Sequence, residues 1–165
     1  MHSIHDRKIT IPSFLSHLPV HQGLPVPFVV LYVKGVPDFR VIDHAKRSAC
    51  VLQKLCAICG NALSEYAWFI GGPKSIEASN LFMDPPQHEH CARFAIEICP
   101  FLSGKVTETN RTRPIPIEGG DVPLVSPTRS EKIGMRRTKK YRLVNYQGYA
   151  LIEVIRWYGL PIWLA

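Results

Sequence analysis

The chain has 165 residues, 46 % of them hydrophobic, and a formal net charge of +7. That length suits one domain, or a small domain with an appendage, and the apolar fraction is enough for a buried core. No apolar run approaches the ~20 residues of a membrane-spanning helix, so a protein that neither spans nor binds a membrane is expected.

In chain order, Met1-His2-Ser3-Ile4-His5-Asp6-Arg7-Lys8 lacks the apolar stretch of a signal peptide, and a cytoplasmic location is expected. The first 27 residues read as irregular and end in Gly23-Leu24-Pro25-Val26-Pro27. Phe28 to Val33 is β-branched and aromatic, which predicts a strand. Lys34-Gly35 turns the chain, and Asp38 to Ile42 pairs back. Asp43 is placed to cap a helix over 44–54, since its carboxylate can accept from the free amides of the first turn. Tyr66 to Ile70 reads as a buried strand broken by Gly71-Gly72-Pro73, with an irregular loop to Met83. Asp84-Pro85-Pro86 predicts the next helix, with Asp84 as cap and the prolines in the first turn, where their missing amides cost nothing. His88, Cys91, Ala95 and Ile98 then share one stripe, widened by Phe94, and Pro100 stops the helix. Residues 103–130 hold four prolines and many small polar residues and read as an extended connector. Tyr141 to Tyr146 and Tyr149 to Ile155 read as strands around Gln147-Gly148. The aromatic end, Arg156 to Trp163, is too apolar for a free tail. There is no internal repeat.

The motif that carries chemistry is Cys56-x-x-Cys59 followed by His88-x-x-Cys91. Thiolates and imidazole are the ligands of a structural zinc, which closes at four. Gly60 behind the second thiol lets the chain turn with positive φ in a tight knuckle. Disulfides suit a secreted chain, which is not expected here, and a redox Cys-x-x-Cys opens a helix in a βαβ unit, whereas Gly60-Asn61 suggests a turn; metal is the preferred reading. His90 is the competing imidazole, but its neighbour position to Cys91 turns it about 100° away around a helix. His88 is therefore preferred. Cys50 and Cys99 read as core thiols. Knuckle, hairpin, loop and ligand-bearing helix make an α+β fold around a treble-clef-like zinc finger, with one structural Zn2+ per chain.

Charge is concentrated in one place. Arg129, Lys132, Arg136, Arg137, Lys139, Lys140 and Arg142 face the single acid Glu131 within residues 129–142, leaving 13 basic and 12 acidic residues elsewhere. Such a run grips phosphates, with Tyr141, Tyr146 and Tyr149 near to stack on bases, or it is a solvated stretch. Trp157, Tyr158 and Trp163 suit a core or a protein-binding hot spot. Gly71-Gly72-Pro73-Lys74-Ser75 lacks the spacing of a phosphate-binding loop. A His-Asn-His nuclease needs a general base on the strand after the knuckle, and Tyr66 to Ile70 contains no His, Asp or Glu. No catalytic residue is assigned.

The segments Gly23-Leu24-Pro25-Val26-Pro27-Phe28, Leu55 to Gly60, Phe69-Ile70-Gly71-Gly72-Pro73, Asp84 to Ala92 and Cys99-Pro100 together resemble uncharacterised small zinc-binding, treble-clef-like proteins of bacteriophages and actinobacteria. The similarity covers residues 11–102 and, more weakly, the end of the chain; Met often stands at the position of Gln87 in that group, and the stretch 103–140 varies. The resemblance implies the zinc ligands and a phage origin, and it brings no activity.

Three segments are expected: a zinc-organised α+β domain over 1–102, a Pro-containing basic connector over 103–140, and C-terminal strands over 141–165 packed on the first. The function expected is a non-enzymatic phage-type accessory protein, acting in the cytoplasm of a bacterial host and binding a host or phage protein or a nucleic acid. The alternatives are a nucleic-acid-binding module that uses residues 129–142, and a metal-dependent nuclease of the His-Asn-His type.

Overall fold

The computed structural model describes residues 8–105, 120–121 and 129–165. A 3-10 turn at Ser13–Leu15 precedes a minimal hairpin, β1 (Val20–His21) and β2 (Leu24–Pro25). β3 (Val30–Val33) and β4 (Val36–Asp43) follow, then α1 (His44–Leu52), β5 (Ala67–Gly71), a π-helical segment (Lys74–Ser79), β6 (Leu81–Phe82) and α2 (Glu89–Ile98). The chain closes with β7 (Gly120–Asp121), β8 (Gly134–Tyr146) and β9 (Tyr149–Trp163). The fold is mixed α+β and mostly strand. Among the described residues, no helix is long and apolar enough to cross a membrane.

All strand pairs are antiparallel, in sheets ordered β1-β2, β3-β4-β7 and β5-β8-β9-β6. The three tight hairpins turn on residue pairs with two positive φ values, Gln22-Gly23, Lys34-Gly35 and Gln147-Gly148. That geometry matches the right-handed twist of the flanking strands. In the last of them, Asn145 Oδ1 accepts from the Gly148 amide at 3.0 Å. β8 carries register shifts at Met135/Arg137, Thr138/Lys140 and Lys140/Tyr141. Bulges of this kind re-aim side chains, so the basic residues of β8 do not simply alternate between faces.

Several predicted elements are present. β3 and β4 form the expected hairpin, and Asp43 caps α1 by accepting from the Lys46 amide at 3.0 Å. β5 and both C-terminal strands are also present.

Other expectations are corrected. Residues 74–83 are not irregular: the π-helical segment ends at Asn80 in the left-handed region, and β6 follows. α2 starts at Glu89, with His88 as its extended N-cap, rather than at Asp84. Two consecutive prolines hold the residues before them extended. Gln87 is in turn bound to Trp68 by paired backbone hydrogen bonds of 2.9 Å, which keeps residues 85–88 out of the helix. Cys91 and Phe94 of the predicted stripe face the cysteine cluster, and Ala92, outside that stripe, packs with Trp68 and Met135.

The basic run does not belong to a connector from Gly134 onward. It forms β8, held between β5 and β9. Residues 106–119 and 122–128 of the expected connector lie outside the described residues. The strand after the knuckle pairs with β8 rather than with β6, so β5 and β6 end up at opposite edges of one sheet.

The core of that sheet is Phe69, Phe82, Ile152 and Val154 with Val51, Ala67 and Ile76, roofed by Tyr141, Leu143, Trp157 and Trp163. Burial of each large side chain here contributes about 1.5–3 kcal/mol. Arg47 of α1, itself buried, donates from Nη2 to the Ala150 carbonyl and ties the far end of the β8–β9 hairpin to the helix.

Candidate metal centre

The knuckle is stitched into the fold on two sides. Phe28 and Val29 donate their amides to the carbonyls of Ile58 and Ala57, at 2.8 and 3.1 Å. On the other side the Ala57 amide donates to Pro86 at 2.9 Å. Within the turn, the Cys56 amide donates to Asn61 and the Gly60 amide to Cys56. Gly60 has φ +76°, and a Cβ there would lie 2.9 Å from the Phe28 ring. Both facts require glycine.

This frame brings Cys56, Cys59, His88 and Cys91 together, with one ligand atom from each lying within 4.8 Å of every other. Tetrahedral zinc, bonded at about 2.3 Å to sulfur and 2.0–2.1 Å to nitrogen, sets its ligand atoms roughly 3.5 Å apart. Cys59 Sγ and His88 Nδ1 are already 3.3 Å apart. Cys56 and Cys91 are wholly buried and Cys59 is 5 % exposed. The four residues can hold one metal ion.

Partners around the ligands are consistent with that use. His88 Nε2 donates to the Ala62 carbonyl at 2.9 Å, so in the neutral ring the lone pair is on Nδ1, which faces the thiols. The His88 amide donates to Cys56 Sγ at 3.4 Å. The amides of Cys59 and Asn61 donate to the sulfurs of Cys56 and Cys59 respectively. Hydrogen bonds from the thiols of Cys56 and Cys91 hold the Cys59 thiol below its ordinary range, while Cys56 is pushed up by its bond to Cys59 and Cys91 by its bonds to Cys56 and then Cys59. A divalent cation bound here would stabilise the thiolate form of all three cysteines.

His88 rather than His90 enters the cluster, although not from a shared helix face. The His90 ring instead stacks on that of His88, with centroids 5.0 Å apart and planes 15° from parallel, and Phe14 meets its edge at 4.5 Å. Cys50 is buried with Val29, Ile42 and Ala57, and Cys99 caps the end of α2. All five cysteines are free thiols.

Sequence reasoning missed the cover over the centre. Leu15, fully buried, packs on the three thiols with Ile11, Phe14 and Leu18, and His17 Nε2 donates to the Cys59 carbonyl at 2.8 Å. The signal was present, because Ile11, Phe14, Leu15 and Leu18 recur at intervals of three, four and seven.

The structure disperses the predicted basic site. Arg129 donates to the carbonyls of Phe101 and Leu102, both at 2.9 Å. Arg136 donates to Gly159 at 3.0 Å and to Ile76 at 3.4 Å. Arg142 pairs with Glu153 at 2.8 Å, and Lys132 lies 4.1 Å over the Trp163 ring. Arg137 donates to the Tyr158 carbonyl at 3.3 Å, Lys139 pairs with Glu65 at 2.6 Å, and Lys140 lies opposite Arg156 on the neighbouring strand. Of the tyrosines assigned to stacking, Tyr141 is part of the core, its hydroxyl buried without a hydrogen-bond partner among the described residues. Tyr146 and Tyr149 face each other, half exposed, at the hairpin tip. No family model, curated protein or solved structure matches the chain.

Proposed function

We propose that the chain is a non-enzymatic binding module, organised by one structural zinc ion on Cys56, Cys59, His88 and Cys91, that docks on a macromolecular partner. The observation that carries the reading is the closed donor set: three buried thiols and one imidazole whose far nitrogen is already engaged with Ala62. Four protein ligands leave no open position for a reacting water, which is the pattern of a structural site and not of a catalytic one. Zinc suits this soft, tetrahedral set better than the hard cations, which take oxygen ligands.

The knuckle and α2 supply two parts of a treble clef. In this reading its central hairpin has been opened, with β8 and β9 inserted between β5 and β6. The nuclease alternative gains no support, because β5 offers only Ala67, Trp68, Phe69, Ile70 and Gly71, none of them a general base. The resemblance to phage and actinobacterial proteins fits an accessory role, with a host or phage protein or a nucleic acid as partner.

Elemental analysis of purified, folded protein should find one zinc per chain. Chelation should unfold at least residues 55–99, since a structural zinc supplies on the order of 10 kcal/mol of folding free energy. Folded protein without metal overturns the reading.

A further inference from the structure

A second group of cations comes together around two tyrosines, with Arg137 Nε also donating to the Tyr158 carbonyl at 3.3 Å. Tyr66, just before β5, and Tyr158 of β9 lie with ring centroids 6.0 Å apart and planes at 61°. Arg137 Cζ lies 4.3 Å from the Tyr66 centroid. Lys139 Nζ is 4.9 Å from Tyr66 and 5.5 Å from Tyr158, and Arg156 Cζ is 5.2 Å from Tyr158. Arg156 stands outside the basic run and was not part of the predicted site. Strand register sets it directly opposite Lys140.

The pairing lies in a bulged stretch, with register shifts on both sides of Lys140. Lys140 and Arg156 are both exposed, and neither forms an ion pair among the described residues. The acid in the group is Glu65, 2.6 Å from Lys139. Three cations therefore lie against two phenol rings, with Lys140 across the strand from Arg156. Contact with the rings restrains Arg137, Lys139 and Arg156, which lowers the entropy lost when a ligand fixes them.

We infer that this face binds single-stranded nucleic acid; the inference rests on the reading of the chain as a macromolecule-binding module and names its partner. Phosphates meet the charge of Arg137, Lys139, Lys140 and Arg156, and unpaired bases stack on guanidinium planes and phenol rings. An acidic polypeptide supplies the charge without planar bases. A duplex supplies the charge with its bases hidden.

The test is fluorescence anisotropy on the full chain at low and rising salt. The probes are a labelled single strand of about 12 nucleotides, within the site size of such surfaces, as DNA and as RNA, the matching duplex, and polyglutamate. The single strand should bind most tightly. Lys140→Ala with Arg156→Ala should lower the log–log salt slope by about 1.4, at roughly 0.7 per lost phosphate contact. Tyr158→Ala should weaken binding by roughly 5- to 150-fold, the range for one lost stacking contact, while Tyr158→Phe retains it. Absence of single-strand binding at low salt overturns the inference, as does duplex or polyglutamate binding of equal strength. Zinc content and melting of the same samples separate the two readings. Folded, zinc-loaded protein that ignores the single strand overturns this inference alone. Strand binding by folded protein that carries no zinc overturns the metal reading alone.

Discussion

His88 Nε2 donates to the carbonyl of Ala62 across 2.9 Å, and this one bond orients the ring so that Nδ1 faces Cys59 Sγ. The acceptor belongs to the knuckle's own exit, where Leu55 and Ala62 form an isolated bridge. Two ligands of the cluster therefore come with the element that orients a third. Partners of this kind are worth 10–100-fold in metal affinity at known sites.

His88→Ala should consequently lose zinc far more readily than His90→Ala. His90 touches the cluster only through its stack on His88 and its edge contact with Phe14. Zinc retention against a graded chelator, measured for both variants, checks this. Equal loss in the two would show that the ring stack, and not ligation, governs retention.

Arg129→Ala and Arg136→Ala should lower stability without altering the salt dependence of binding, because their guanidinium groups are spent on backbone carbonyls. Hydrogen bonds from charged donors contribute about 1.5–3 kcal/mol when well buried. At these partly exposed positions a loss of about 1–2 kcal/mol is expected in denaturant unfolding. A changed salt slope with unchanged stability would return both residues to the binding surface.

Gly134→Ala should destabilise the sheet. A Cβ at this position would stand 2.5 Å from the Ile162 carbonyl oxygen and 2.6 Å from the Trp163 ring. The first of these is backbone of the paired strand and cannot turn aside. Overpacking of this type costs about 1–3 kcal/mol, readable as a lowered melting temperature. An unshifted melt would mean that β8 and β9 stand farther apart at this end.

Tyr141→Phe should be neutral or stabilising near neutral pH, since it removes a buried hydroxyl that has no hydrogen-bond partner among the described residues. It should also change the alkaline limb. Burial pushes the Tyr141 phenol up to about 12, against about 10 in the unfolded chain. Between those values the unfolded state ionises and the folded state does not, so stability falls as pH rises from about 10 towards 12. The variant should lose part of that fall. Cys50, likewise pushed up to about 12 by burial, keeps its own share. Unfolding free energies at pH 8 and at pH 10.5 for both proteins measure the difference.

The sequence by itself determined what local chemistry decides. Ligand types and spacing at Cys56, Cys59, His88 and Cys91 marked the cluster, and the Asp43 cap and the Lys34-Gly35 and Gln147-Gly148 turns marked their elements. Each depends on a few adjacent residues, through coordination preference, one capping bond or tolerance of positive φ. Only the tertiary structure decided the start of α2, because the paired bonds between Gln87 and Trp68 join residues far apart in the chain. It alone decided the strand order β5-β8-β9-β6, since hydrophobic alternation shows that a strand has a buried face and not which strand lies beside it. And it alone sorted the basic residues: Arg129 and Arg156 differ in what surrounds them, not in their own chemistry. One is fastened to the carbonyls of Phe101 and Leu102, and the other is left beside Lys140 and the Tyr158 ring.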